Sequence, residues 1–134
     1  AIDVLKVKHI IVVGHYGCVG VRAAMENFRV GLADNWIRHV KDVNEKHHSY
    51  LGSLVNRTER LDRLCELNVI EQVVNVCQTT SVQDAWSKNQ PVTVHGWVYG
   101  VHDGIARDMG VSIACAEELE QHYRSVISKR FTAA

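Results

Sequence analysis

A chain of 134 residues has room for one domain with a single sizeable core, so residues 1–134 are read as one unit. Apolar residues make up 46% and charged residues 22%, an ordinary globular balance that excludes a disordered chain. Lysine plus arginine equals aspartate plus glutamate, 15 against 15, so there is no basic footprint for nucleic acid and no acidic tail.

The N-terminus, AIDVLKVKHI, has lysines interrupting its apolar residues rather than preceding them, which is not a secretory leader and reads like the middle of a domain. Apolar runs such as Ile10 to Val13 are far too short to span a membrane. The segment KHIIVVGH is short, β-branched and closed by glycine, the pattern of a strand buried on both faces of a parallel sheet. Gly14, Gly17 and Gly20 mark the following turn, and VRAAMENF reads as a short helix. Asp34 is placed as the N-cap of a longer helix through NWIRHVKDVNEKHHSYL, followed by a linker from Gly52 to Asn56. From Thr58 a second long helix carries Leu61, Leu64, Cys65, Val69, Val73, Val76 and Cys77 near helical spacing. Thr79 to Ser81 breaks it, and Val82 to Ser87 resumes helix. Pro91 opens a strand, PVTVHGWVYGV, which turns at His102-Asp103-Gly104 and returns as an antiparallel edge strand, IARDMGVSI. A helix from about Cys115 to Lys129 closes the chain. The class is α/β: a mainly parallel sheet flanked by helices, with an antiparallel edge hairpin and few strands for so many helices.

Cys18, Cys65, Cys77 and Cys115 form no C-x-x-C pair and are read as reduced thiols of a cytoplasmic protein. The stretch GHYGCVG lies at the C-terminal end of the first strand, where open α/β sheets place their ligands. A tight turn there can aim the His15 imidazole and the Cys18 sulfur at one point, and zinc accepts both atom types. Cys18 also precedes a helix, whose dipole favours the thiolate that zinc requires. An H-x-x-C pair by itself reads more readily as a loop histidine beside a buried structural cysteine.

Four segments, GHYGCVGVRAAMENF, GLADNWIRHVKDV, RLDRLCELNVIEQVVN and VTVHGWVYGVHDGIARD, together resemble the β-class carbonic anhydrases, in particular their bacterial and plant-like branch. The resemblance runs in order along nearly the whole chain. It implies reversible hydration of carbon dioxide to bicarbonate by a zinc-bound hydroxide. It implies zinc as cofactor, with His15 and Cys18 as two of its ligands, and a homodimer or higher homo-oligomer. The family's third ligand and its aspartate–arginine pair sit in an earlier C-x-D-x-R motif. No such motif occurs here, so no catalytic residue of that pair is present, and the chain is expected to be a C-terminal part carrying an incomplete version of the fold. Alone, it is expected to be inactive or nearly so. Relatives usually have glycine at the position of Val19, a difference expected to affect access to the pocket more than the metal. Tyr99 matches a tyrosine that, in a bicarbonate-regulated branch, helps form a second, non-catalytic bicarbonate site; a strand tyrosine packing at the sheet edge is the equal alternative.

His39, His47, His48 and His122 are placed on solvated helix faces, and His95 and His102 in structural hydrogen bonds flanking the hairpin. Cys65, Cys77 and Cys115 are read as core thiols, and Trp36, Trp86 and Trp97 as core or interface anchors. Two other readings stand beside the enzyme: a non-catalytic truncated relative acting as a scaffold, and a nucleotide-binding module. The glycines run G-x-x-G-x-x-G rather than G-x-G-x-x-G, and no Gly-Lys-Ser/Thr follows, which weighs against the nucleotide module.

Overall fold

The computed structural model describes residues 1–132. Three strands, β1 (His9–His15), β2 (Thr93–Tyr99) and β3 (Ala106–Ile113), form one sheet in that order. β1 runs parallel to β2, and β3 returns antiparallel as the expected edge hairpin. The helices are α1 (Ile2–Leu5), α2 (Val19–Met25), α3 (Asp34–Lys46), α4 (His48–Ser53), α5 (Arg57–Cys77), α6 (Thr80–Ser87) and α7 (Leu119–Arg130). Among the described residues no helix is long and apolar enough to cross a membrane.

α5 organises the core. It starts one residue earlier than its periodicity implies, because the Asn56 side chain caps it by accepting the Glu59 backbone N–H at 3.0 Å. Its Leu64, Leu67, Ile70 and Val73 are wholly buried, and it packs on all three strands while α2, α3, α4, α6 and α7 gather around it. Two glycines set how closely α5 approaches the sheet. A Cβ on Gly14 would stand 2.5 Å from Val69 Cγ2, and one on Gly96 would stand 2.7 Å from Val111 Cγ1 and 3.1 Å from Val73 Cγ2. Any side chain at either position would push helix and sheet apart.

Several sequence expectations need correction. β1 is covered on one face only: Ile11 and Val13 on the other are 44% and 56% exposed. Burial on both faces requires helices on both sides, and here the helices collect on the α5 side. Trp97 lies on that uncovered face opposite Val13, and its buried indole N–H has no acceptor among the described residues. The helix expected over residues 35–51 breaks at His47, and its second part runs through Ser53 into the expected linker. His47 is not solvated; its imidazole is drawn in to Glu71, with Nε2 2.7 Å from Oε1. Asp34 lies inside α3 rather than capping it, and its carboxylate accepts the Val30 N–H at 2.9 Å. Trp36 is 77% exposed and so is no core anchor, and Cys115 is only half-buried. His39 and His48 are exposed as expected, whereas His122 is half-buried and donates from Nδ1 to the Glu118 carbonyl at 3.1 Å.

Candidate metal centre

The site is built where β1 stops. His15 is its last residue, and Gly17, with a φ of +70°, takes the left-handed conformation that lets the chain turn within two residues. Cys18 then sits in extended backbone as the N-cap residue of α2. The turn is held from two sides. The Tyr16 N–H extends the parallel ladder by donating to the Tyr99 carbonyl at 3.0 Å. The Tyr16 hydroxyl donates to Glu66 Oε1 at 2.7 Å, while Arg63 donates to Oε2 of the same carboxylate at 2.8 Å. Burial and the Glu66 contact hold the Tyr16 phenol far above its ordinary range, so it acts as a neutral anchor to α5.

His15 Nδ1 lies 3.0 Å from the Tyr16 carbonyl. A carbonyl only accepts, so Nδ1 carries the proton and Nε2 keeps its lone pair, which is the tautomer a metal-ligating histidine needs. Cys18 is half-buried, and its Sγ lies 3.7 Å from where a Cβ on Gly20 would be. The imidazole and the thiol therefore fit zinc in kind. Among the described residues no third histidine, cysteine, aspartate or glutamate joins them. Cys65, next along the core, is unsuited: burial pushes its thiol up to about 12, only partly offset by a hydrogen bond from the Cys18 backbone. Burial likewise pushes Cys77 up to about 11. All four cysteines are free, as expected.

Tyr99 is the register partner of His15 across the parallel pair, so both lie on one face of the sheet, and Tyr99 is 39% exposed. Val19 is 65% exposed on the first turn of α2 and does not line the cleft beside His15. That cleft, of about 700 Å³, is lined by His15, Gly17, Thr58, Asp62, His102 and Arg107 among others. Arg107 grips Asp103 with two hydrogen bonds, 2.5 Å to Oδ2 and 3.3 Å to Oδ1. These bonds hold the Asp103 carboxyl down at about 2. Gly100 makes room for the pair, since a Cβ there would collide with the Asp103 carboxylate. Sequence reasoning missed Asp62 and Arg107. The i, i+4 spacing of Asp103 and Arg107 around the turn was a usable signal for the second, whereas nothing local marked the first.

The family profile described as "Carbonic anhydrase" matches residues 1–106. The carbonic anhydrase of Emericella nidulans is 41% identical over 111 residues, covering 83% of this chain and 49% of that protein. The carbonic anhydrase of Candida albicans is 38% identical over 110 residues, covering 78% of this chain and 37% of that protein. The chain thus spans about half or less of the length of these curated relatives. Among solved structures, the Coccomyxa β-carbonic anhydrase in complex with acetazolamide aligns with a TM-score of 0.81 at 34% identity, covering 98% of this chain and 62% of that one. A tetrameric β-carbonic anhydrase from Sordaria macrospora aligns with a TM-score of 0.76 at 28% identity, covering 84% of this chain and 57% of that one.

Proposed function

Because the chain belongs to the β-class carbonic anhydrases, we propose that the complete protein interconverts carbon dioxide and bicarbonate, with His15 and Cys18 as two of its zinc ligands. The observation that carries this reading is the turn after β1. It gives His15 a free Nε2 lone pair, three residues before a cysteine at the start of α2. Zinc, when bound, lowers the pKa of a coordinated water from about 15.7 toward ~7 and so supplies hydroxide at neutral pH.

The chain's own residues do the rest. The Tyr16 carbonyl fixes the His15 tautomer and ring orientation through Nδ1. The Tyr16 side chain, tied to Glu66, keeps the turn from moving off α5. Arg107 places positive charge on the wall of the cleft where the bicarbonate anion forms, and Asp103 fixes its orientation. Tyr99 stands beside this end of the sheet, and we assign it to a second, regulatory bicarbonate position. Four free thiols suit a reducing, cytoplasmic setting.

Stopped-flow hydration assays test the reading. The zinc-loaded complete protein is expected to turn over carbon dioxide and to stop when zinc is chelated. The isolated 134-residue chain is expected to be inactive or nearly so, since it offers two zinc ligands and no C-x-D-x-R motif. Rapid turnover by the isolated chain would overturn this account of the site.

We further propose a homo-oligomer. Among the described residues β1 ends the sheet with an unpaired edge, and the apolar Ile11 and Val13 on it are exposed. Such an edge is a template for pairing with another chain. Sedimentation velocity is expected to give dimers or larger species for the isolated chain, and a clean monomer with a sharp cooperative melt would contradict this.

A further inference from the structure

Resting on the carbonic anhydrase reading, we propose that Asp62 and His102 carry away the proton that carbon dioxide hydration releases, along the cleft that opens at His15. Each forward turnover breaks a water O–H bond, forms a C–O bond and leaves bicarbonate plus one proton. That proton must reach buffer before the next cycle, and a carboxylate and an imidazole in line are chemically able to pass it on.

Asp62 on α5 and His102 in the β2–β3 turn line the same cleft of about 700 Å³ as His15. Among the described residues Asp62 is the one carboxylate lining that cleft, and it has neither a hydrogen-bond nor an ion-pair partner. The other charged groups nearby are engaged. Glu66 is bound by Tyr16 and Arg63, and Arg107 is bound by Asp103. Burial above all, then the Glu66 charge, raises the Asp62 carboxyl above its ordinary value, while Arg63 and His102 act the other way. A half-buried, unpartnered carboxyl with its affinity for protons raised is suited to take one and release it. His102 is the outer station: its imidazole is 82% exposed, and Nε2 lies 3.8 Å from Asp103 Oδ2.

The test uses the zinc-loaded complete protein and the variants Asp62→Asn and His102→Ala. In weak buffer kcat is expected to fall about tenfold for either, less than the ~100-fold low end of general acid–base effects because water and buffer substitute in part. kcat/KM and zinc content are expected to stay unchanged, and concentrated imidazole buffer is expected to restore kcat. Infrared titration of the same protein without carbon dioxide gives a readout independent of activity. A protonated carboxyl band is expected to persist above the ordinary aspartate range, vanish in Asp62→Asn and persist to higher pH in His102→Ala. Unchanged kcat in weak buffer, or a parallel loss of kcat/KM and zinc, overturns the relay while leaving the functional reading in place. A wild-type protein that hydrates no carbon dioxide overturns the functional reading, and this inference with it.

Discussion

Replacing Cys18 with serine is expected to remove zinc from the complete protein and to lower carbon dioxide hydration by well over ~100-fold. Even outer partners of metal ligands cost about 10–100-fold in affinity or activity when removed, and a direct ligand matters more. A serine hydroxyl stays protonated at neutral pH and cannot replace a thiolate. Without zinc, a water with a pKa of about 15.7 yields almost no hydroxide at pH 7. Cys65→Ser is the matched control. Its thiol is buried and pushed up to about 12, so it is no thiolate donor, and its loss should disturb packing while leaving metal stoichiometry alone. Metal analysis by plasma emission, with stopped-flow rates on both variants, decides the matter. Full zinc occupancy in Cys18→Ser would remove this cysteine from the ligand set.

The turn carrying His15 and Cys18 was legible because its signals are local: a β-branched run, spaced glycines and an H-x-x-C interval. The hairpin was legible for the same reason, since His102-Asp103-Gly104 is turn chemistry and Gly104 does take a left-handed φ of +72°. What could not be read depends on contacts distant in the chain. The break at His47 interrupts an otherwise continuous helical pattern because that imidazole reaches a carboxylate 24 residues away. The exposure of Ile11 and Val13 follows from the side of the sheet on which the helices gather, and apolar runs do not encode sides. Tyr99 stands beside His15 only through the parallel register of β1 and β2. The candidate role of Asp62 rests on its lack of a partner, which is a property of the surroundings and not of the RLDRL stretch that carries it.

Glu71→Ala is expected to destabilise the protein by a few kcal/mol, since each donor left without its partner on burial costs about 1–3 kcal/mol. Glu71 lies within α5 with its side chain 9% exposed and collects donors from two other helices and the α3–α4 junction. Lys46 Nζ of α3 donates at 2.8 Å, His47 Nε2 lies at 2.7 Å, and the Tyr123 hydroxyl of α7 donates at 2.7 Å. Alanine would leave the half-buried Tyr123 phenol and His47 imidazole without their acceptor and would untie three elements at once. Against a net stability of ~5–15 kcal/mol for a whole domain, the effect is decisive. Burial by itself would raise the Glu71 carboxyl, but the hydrogen bonds from His47, Lys46 and Tyr123 outweigh it and bring the value from 4.5 to about 2. A carboxyl depressed on folding contributes stability that is complete above its unfolded value. That stability drains away as pH falls from about 4.5 toward 2, and the shift corresponds to about 3 kcal/mol. Thermal melts of the wild type should therefore weaken steeply across that acid window. Glu71→Gln, which keeps the shape but cannot ionise, should start lower at neutral pH and lose much less between pH 5 and 2. Tyr123→Phe, which deletes one donor and leaves the carboxylate its other two, should cost only about 1 kcal/mol. A Glu71→Gln protein that follows the wild-type acid profile would mean that other carboxylates set the acid limit and that the helices are held together by apolar packing alone.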